Sequence, residues 1–224
     1  MPLQLLDPTL DVVFKLLLLR EPSLLRDMVE SVLNLPAPIN ELEVLNPQIP
    51  EDAPGDKSIV LDVRVRLADG RQIDLEMQSA APRGTRARFL YYWARSFVDS
   101  IARGDDYTSL RPCILILWLK VELLQSAHFH SVFHLTEDQC GEVFAQEIEF
   151  HVLELPKLHL ADSGQQAKLQ RWARFFRAKT VLELEKLAHE DTAMSTAKRT
   201  LEDLSMDPQA RQLARDREMS FVAH

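Results

Sequence analysis

The sequence pattern places two acidic residues, Asp62 and Glu76, opposite each other across a predicted β-hairpin. Apolar and polar residues alternate over residues 59–67 and again over 72–78, the period of two that half-buried strands show. Like charges that face each other across a hairpin destabilise it. However, Mg²⁺ often takes one or two carboxylates together with waters and substrate phosphates. The pattern therefore predicts either a solvated polar face or a magnesium site.

The turn sets the register of this hairpin. Residues 68–70, Ala-Asp-Gly, are typical of a three-residue loop that ends in a left-handed glycine. Counting outward, the apolar face pairs Leu67 with Arg71, Val65 with Ile73, Val63 with Leu75 and Leu61 with Met77. The other face pairs Arg66 with Gln72, Arg64 with Asp74, Asp62 with Glu76 and Val60 with Gln78. A two-residue loop would slip the register by one residue and place the two acids on opposite faces.

The remaining elements must position this pair. Helical spacing of apolar residues over 8–34, broken at Pro22, predicts two helices before a short strand over 41–49. A helix of about five turns follows the hairpin. The continuous apolar run over 113–119 is typical of a central strand covered on both faces. Two further strands and a polar helical region from residue 165 complete a mixed α/β fold.

Composition limits the function classes. A formal charge of −8 is unlike that of a passive, sequence-independent DNA-binding protein, which is normally basic. It is compatible with a nucleic-acid enzyme whose acidic residues gather at a metal site. The sequence contains none of the nucleotide-binding or hydrolase motifs built on spaced glycines. His128, His130 and His134 match no zinc spacing and are predicted to be surface or strand-edge histidines.

A cytoplasmic protein without membrane spans is expected. The chain carries no basic and apolar signal at its N-terminus. Its longest apolar stretch, residues 113–124, is too short to cross a bilayer and contains Lys120 and Glu122. The two cysteines, Cys113 and Cys140, form no CxxC motif and are expected to be reduced.

Six segments taken in order resemble a known family. They are "DPTLDVVFKLLL", "LDVRV", "IDLEMQ", "RFLYYWA", "GDDYTSLRPCILI" and "HVLELPKL". Together they are similar to the Rpn family of recombination-promoting nucleases, or putative transposases, within the PD-(D/E)XK nuclease superfamily. The resemblance covers roughly residues 5 to 160. It implies a restriction-endonuclease-like core, a mixed sheet flanked by helices, followed by a helical C-terminal extension.

The resemblance also implies roles for single residues. Asp62 matches the superfamily's strand-two aspartate and Glu76 its strand-three acid, which implies that both bind Mg²⁺ or another divalent cation. Gln78 stands where the superfamily expects Lys, although Gln is usual within the Rpn family. An amide can orient a water molecule but supplies no charge. Asp11 matches the family's first-helix acid, and Lys15 lies one turn further on.

Asp11, Lys15 and Tyr92 each have a purely structural interpretation as well as a functional one. Asp11 and Lys15 could form an ordinary i,i+4 salt pair or support the site. Arg88 and Tyr92 match the family's "R...Y" and could contact DNA, Arg88 through phosphate and Tyr92 through base stacking. Tyr92 also lies in an apolar stripe, which is typical of a core residue. Glu154 and Lys157 match the family without an assigned chemistry.

These observations predict a Mg²⁺-dependent DNA endonuclease with Asp62, Glu76, Gln78 and Asp11 as catalytic residues. Residues 1–160 would form the nuclease-like domain, and 161–224 a helical extension, complete or truncated, that contacts a second copy. The alternatives are a nuclease-fold protein that only binds DNA or protein, and a toxin-like effector that depends on a partner.

Overall fold

A mixed β-sheet forms the centre of the protein. The computed structural model describes residues 4–33, 35, 37–45, 47–49, 59–161 and 167–222. Within these residues a six-stranded sheet has the order β1-β4-β5-β6-β8-β7, and β2 and β3 form a separate two-stranded ribbon. The strands are β1 (Leu42–Val44), β2 (Gln48–Ile49), β3 (Ile59–Val60), β4 (Val63–Leu67), β5 (Gln72–Gln78), β6 (Cys113–Leu119), β7 (His130–Thr136) and β8 (Val143–Glu154). Strands β5, β6 and β8 are parallel, while β1, β4 and β7 are antiparallel to their neighbours.

Helices cover both faces of this sheet. They are α1 (Asp11–Arg20), α2 (Pro22–Leu33), α3 (Thr85–Asp99), α4 (Ala167–Arg177), α5 (Val181–Ala188), α6 (Thr192–Met206) and α7 (Pro208–Val222). Short 3₁₀ turns occupy Tyr107–Ser109 and Leu155–Leu160. Helix α3 packs on one face through Phe89 and Trp93, and the other helices pack on the opposite face. All seven residues of β6 are buried, as expected of a strand covered on both sides. The predicted mixed α/β fold is confirmed.

The predicted hairpin register is confirmed for β4 and β5. Val63 pairs with Leu75, Arg64 with Asp74, Val65 with Ile73 and Arg66 with Gln72. The Leu67 N–H donates to the Arg71 carbonyl at 2.9 Å, which closes the three-residue loop. Gly70 in this loop has φ +88°, a conformation that residues with a Cβ rarely adopt.

The two outermost pairs of the predicted hairpin are wrong. Val60 pairs with Gln48 of β2 rather than with Gln78, and Leu61 donates its N–H to the Pro47 carbonyl at 3.0 Å instead of pairing with Met77. Leu61 is buried against Tyr92 of α3. The chain therefore leaves β5 at Asp62, and the hairpin opens at the position of the acidic pair.

The C-terminal helices share the hydrophobic core with α1 and α2. Phe176 of α4 lies 5.8 Å from Phe14 of α1 and 5.0 Å from Trp118 of β6, measured between ring centroids. Asp27 of α2 accepts a 2.7 Å hydrogen bond from the Trp172 indole of α4. The helical character predicted from residue 165 is confirmed over 167–222. The proposed domain boundary near residue 160 stays a prediction. In the part of the chain that the structure describes, no helix has the length and apolar character needed to cross a membrane.

Candidate active site

Asp62 and Glu76 lie together where the hairpin opens. The Asp62 N–H donates to Glu76 Oε1 at 3.0 Å, and the Met77 N–H donates to Asp62 Oδ2 at 2.8 Å. Because β4 begins only at Val63, the Asp62 carboxylate takes a β5 amide that a strand backbone would otherwise satisfy. Backbone N–H groups thus hold both carboxylates at the end of the β4–β5 hairpin where the pairing stops.

Both carboxyl groups hold their protons more tightly than usual. Burial raises the pKa of Asp62 to about 7. Burial also raises the pKa of Glu76 well above its ordinary value, and the negative charge of Asp62 raises it further. Desolvation disfavours the charged form, and a like charge adds to that effect. Glu76, which is buried, and Asp62, which is partly buried, therefore lack enough neighbouring positive charge to stabilise their ionised forms.

Gln78 and Arg88 extend the site toward α3. The Gln78 amide donates to Glu76 Oε2 at 3.1 Å, and Arg88 Nη2 donates to Gln78 Oε1 at 2.9 Å. The Arg88 guanidinium also lies 4.9 Å from the Phe89 ring centroid and 5.9 Å from that of Tyr92. The Gln78 amide thereby connects the Arg88 guanidinium of α3 to Glu76 of the acidic pair.

Asp11 joins the site from α1, and its ion-pair partner comes from α7. Arg217 Nε donates to Asp11 Oδ1 at 2.8 Å, and a second guanidinium nitrogen pairs with the other carboxylate oxygen. Although burial dominates the pKa of Asp62, the charge of Asp11 raises it, whereas Lys15 and Arg217 lower it. Three residues from two helices, Asp11 and Lys15 of α1 and Arg217 of α7, therefore influence the pKa of Asp62. Sequence spacing gave no sign of Arg217, because it lies 206 residues from Asp11.

The polar face of the hairpin is buried beneath α3, so the solvated alternative is wrong for Arg64 and Asp74. Arg64 lies 3.6 Å from Asp74 Oδ1 and donates to Asp99 Oδ2 at 2.9 Å. Asp74 is fully buried, and that burial raises its pKa to about 6. Its charge also contributes to the raised pKa of Glu76. Acidic residues therefore extend along the covered face behind the candidate site.

Comparison with known proteins identifies the family. A family model described as PD-(D/E)XK nuclease family transposase matches residues 8–222. The chain belongs to this family. The match confirms the resemblance and extends it through α7, beyond the residue-160 limit expected from sequence. Comparisons with curated proteins and with solved structures gave no match.

The PD-(D/E)XK match supports a nuclease- or transposition-related role and a DNA substrate. Asp62 and Glu76, the two predicted acids of the family pattern, are adjacent in the structure. Gln78, which stands in the lysine position, contacts both Glu76 and Arg88. Among the described residues, no group of three or more His, Cys, Asp and Glu side chains is arranged to hold a metal ion. Two carboxylates nevertheless fit Mg²⁺, which retains several of its waters.

Glu154 and Lys157 fix the loop beside Gln78. Lys157 Nζ donates to the carbonyls of Leu124 and Ser126 at 2.7 and 2.6 Å and to Glu154 Oε2 at 2.7 Å. The Leu124 N–H donates to Glu154 Oε1 at 3.0 Å. The same loop begins at residue 120, whose N–H donates to the Gln78 carbonyl at 2.9 Å. Two family-matching residues without assigned chemistry thus hold a loop that is hydrogen-bonded to the backbone of Gln78.

The histidines lie apart from this site. His130 and His151 hydrogen-bond through their rings at 2.8 Å, and His151 pairs with Glu149. Glu149 and His151 sit opposite Ile114 and Ile116 of β6, whose side chains belong to the core on the face away from α3. His128 and His134 are exposed, and His130 and His134 lie on β7 at the edge of the sheet, as predicted for these histidines.

Proposed function

We propose that this protein is a divalent-metal-dependent endonuclease that hydrolyses phosphodiester bonds in DNA. The observation that carries the proposal is the pair of facing carboxyl groups, Asp62 and Glu76, with raised pKa values at the open end of the hairpin. A hairpin with no ligand to bind gains no stability from two like charges that are largely removed from water. A cation between them would remove that cost.

Asp62 and Glu76 are the residues that would hold Mg²⁺. When bound, the ion would lower the pKa of a water molecule and stabilise negative charge on the phosphate. Ligand carboxyl groups must lose their protons for the ion to bind. The raised pKa values therefore link occupancy of the site to pH, with binding favoured as the pH rises toward and above 7.

The neighbouring residues supply orientation and charge. Gln78 would orient the attacking water through its amide, which Arg88 and Glu76 already fix on both sides. Arg88 would supply near the phosphate the positive charge that Gln78 lacks, because a guanidinium binds phosphate through two donors. Asp11 would support the pair from α1, with Arg217 as its counter-ion.

Lys15 and Tyr92 are proposed as DNA contacts. Lys15 lies near enough to Asp62 to lower its pKa, which places a cation beside the site. Tyr92 is half-buried and packs between Leu61 and the α3 core. One ring edge would therefore be the part that reaches a base, and the rest of the ring supports the helix.

Location and assembly remain proposals from the sequence. A cytoplasmic location rests on composition. Self-association through the C-terminal helices stays a prediction, and the apolar faces of α4 and α6 are used within the chain. A second candidate function, binding of DNA or protein without cleavage, is favoured by Gln78 in the lysine position, and the net charge of −8 favours a protein partner over DNA within that alternative.

Plasmid cleavage tests the proposal. Purified protein is incubated with supercoiled plasmid in Mg²⁺ or in EDTA, beside Asp62→Asn and Glu76→Gln variants. We expect Mg²⁺-dependent nicking that falls by about 10²-fold or more in both variants. Asp69→Asn is the matched control, because Asp69 is an exposed acid in the loop of the same hairpin. DNA binding without cleavage under any divalent ion would support the binding alternative instead.

A further inference from the structure

The β7–β8 hairpin extends beyond the sheet as a two-stranded arm, residues 134–147. Strand β8 pairs with β6 only from Ile148 onward, so its first five residues pair with β7 alone. A two-stranded ribbon is marginally stable in water by itself. Yet the arm exposes Leu135, Val143 and Phe144, and the Phe144 side chain is 82% exposed. Such an apolar projection is typical of an interaction surface.

The charge of this arm excludes nucleic acid as its partner. Between residues 121 and 156 the chain has seven acidic residues and neither Lys nor Arg. Glu137, Asp138, Glu142 and Glu147 lie in the arm itself. A phosphate backbone would be repelled by this surface. The arm instead requires a partner surface that is both apolar and basic.

The outer face of α3 has those two properties. Leu90, Tyr91 and Val98 are exposed at helical spacing, with Leu90 at 56% and Val98 at 60%. Besides Arg88, residues 82–98 contain three arginines, at positions 83, 86 and 95, and no acidic residue. Arg88 and Tyr92 are directed toward the candidate active site, so the outer face is a separate surface of the same helix.

We propose that two copies of this chain form a twofold dimer in which the arm of each copy lies on the outer face of α3 of the other. Both complementary surfaces occur on one chain, as an isologous interface requires. They are also neighbours, because Trp93 of α3 lies 5.8 Å from Phe150 of β8 between ring centroids. The two contacts can therefore lie side by side around one axis.

Twofold repetition also addresses the size of the contact. Specific interfaces bury about 1,600 Å² in total, which is large for one ribbon on one helix. A dimer makes the contact twice, so each need supply only half of that area. Acidic side chains of the arm would then pair with the arginines at the rim, while Phe144 and Leu90 lie near the centre.

Sedimentation of the full chain tests this dimer. We expect the wild-type protein to be dimeric, and Phe144→Asp or Leu90→Glu to weaken the dimer by about 30-fold or more, as central interface residues do. Leu135→Lys and Val98→Glu provide a second variant on each surface if one of the first pair folds poorly. Met219→Asp is the matched control, because Met219 is 61% exposed on the distant helix α7.

Mixing the variants distinguishes this arrangement from others. An arm variant and an α3 variant, each monomeric alone, retain one intact contact when combined and should form a heterodimer. A wild-type protein that stays monomeric at its highest attainable concentration would overturn the proposal. If the α3 variants stay dimeric while the arm variants become monomeric, the arms pair with each other. If the α3 variants keep the oligomeric state of the wild-type protein but lose DNA binding, the outer face of α3 binds DNA. Both results contradict the dimer, and none of these readouts depends on cleavage.

Discussion

Replacing Asp62 with Asn removes one charge from the acidic pair and preserves its shape. The Asn side-chain oxygen still accepts the Met77 N–H, and the backbone N–H of residue 62 still reaches Glu76. The free energy of unfolding of the metal-free protein should therefore report the cost of the buried charge. Wild-type protein bears this cost above neutral pH, and the variant does not.

The magnitude follows from the pKa. Asp62 titrates at about 7 in the folded protein and at about 3.9 when unfolded. Below about pH 4 both states are protonated. Between about pH 4 and 7 only the folded state keeps its proton, so stability falls as the pH rises through this window and levels off above it. The full shift corresponds to about 4 kcal/mol. Because Asp62 is only partly buried and its surroundings relax, we expect about 2 kcal/mol.

Urea unfolding in EDTA at pH 4, 6 and 8 measures this difference. The variant and the wild-type protein should be equally stable at pH 4, and the variant more stable by about 2 kcal/mol at pH 8. Asp74 titrates in the same direction, but it is present in both proteins and cancels in the difference. Adding Mg²⁺ at pH 8 should stabilise wild type alone by mass action. A difference that does not change with pH, or an Asn variant that is less stable at pH 8, would refute the argument.

Four further outcomes follow from the structure. Arg88→Ala should slow plasmid nicking by about 10²-fold, and Arg88→Lys should recover part of the rate as a point charge. Arg217→Gln removes a charge that lowers the pKa of Asp62, so calorimetric Mg²⁺ affinity should shift to higher pH. Ending the chain at residue 160 exposes core that α4 and α6 cover, and circular dichroism should show loss of cooperative melting. Gly70→Ala should cost about 1 kcal/mol or more in urea unfolding because of its φ of +88°.

Comparing Gly70 with Gly84 separates the cost of a positive φ from the cost of a steric contact. Gly84 also has a positive φ, +84°, but a Cβ there would meet no atom within 4 Å, whereas at Gly70 it would lie 3.0 Å from the Arg111 side chain. A larger cost at Gly70 than at Gly84 measures that contact. Equal rates for Arg88→Ala and wild type would remove Arg88 from the proposed chemistry, and a truncated chain that melts cooperatively would support a separable extension.

The sequence pattern predicted the pairing in the middle of the hairpin because that pairing depends only on the two strands and the turn between them. Alternation and a glycine-terminated loop determine which residues of β4 and β5 pair, and four of the predicted pairs are present. The same pattern continues through Val60, so nothing in it signals that β3 turns away to pair with Gln48. That departure depends on β2, an element separated from β3 by residues 50–58.

The electrostatic environment of the site depended on tertiary contacts and could not be predicted. Period-two alternation identifies a polar face but not what covers it, so Arg64 and Asp74 were open to a solvated interpretation until α3 was placed. Arg217 carries no local signal, because its partner Asp11 is nearly the whole chain away. Asp62 and Glu76 were named from the hairpin pattern and Gln78 and Arg88 from family resemblance, and the structure brings all four into one hydrogen-bonded group.

The ion pair between Asp11 and Arg217 joins α1 to α7, and the two residues lie 206 positions apart in sequence. Protein chains are made from the N-terminus and begin to fold as they emerge. Asp11, Asp62 and Glu76 are therefore present long before α7, and a nascent chain holds its acidic residues without the counter-ion of Asp11. Ala210 and Ala214 place α7 against the body of the protein, so Arg217 reaches Asp11 only after residues 1–217 have been synthesised. A chain interrupted before residue 208 would therefore carry the acidic residues of the candidate active site with an unbalanced charge.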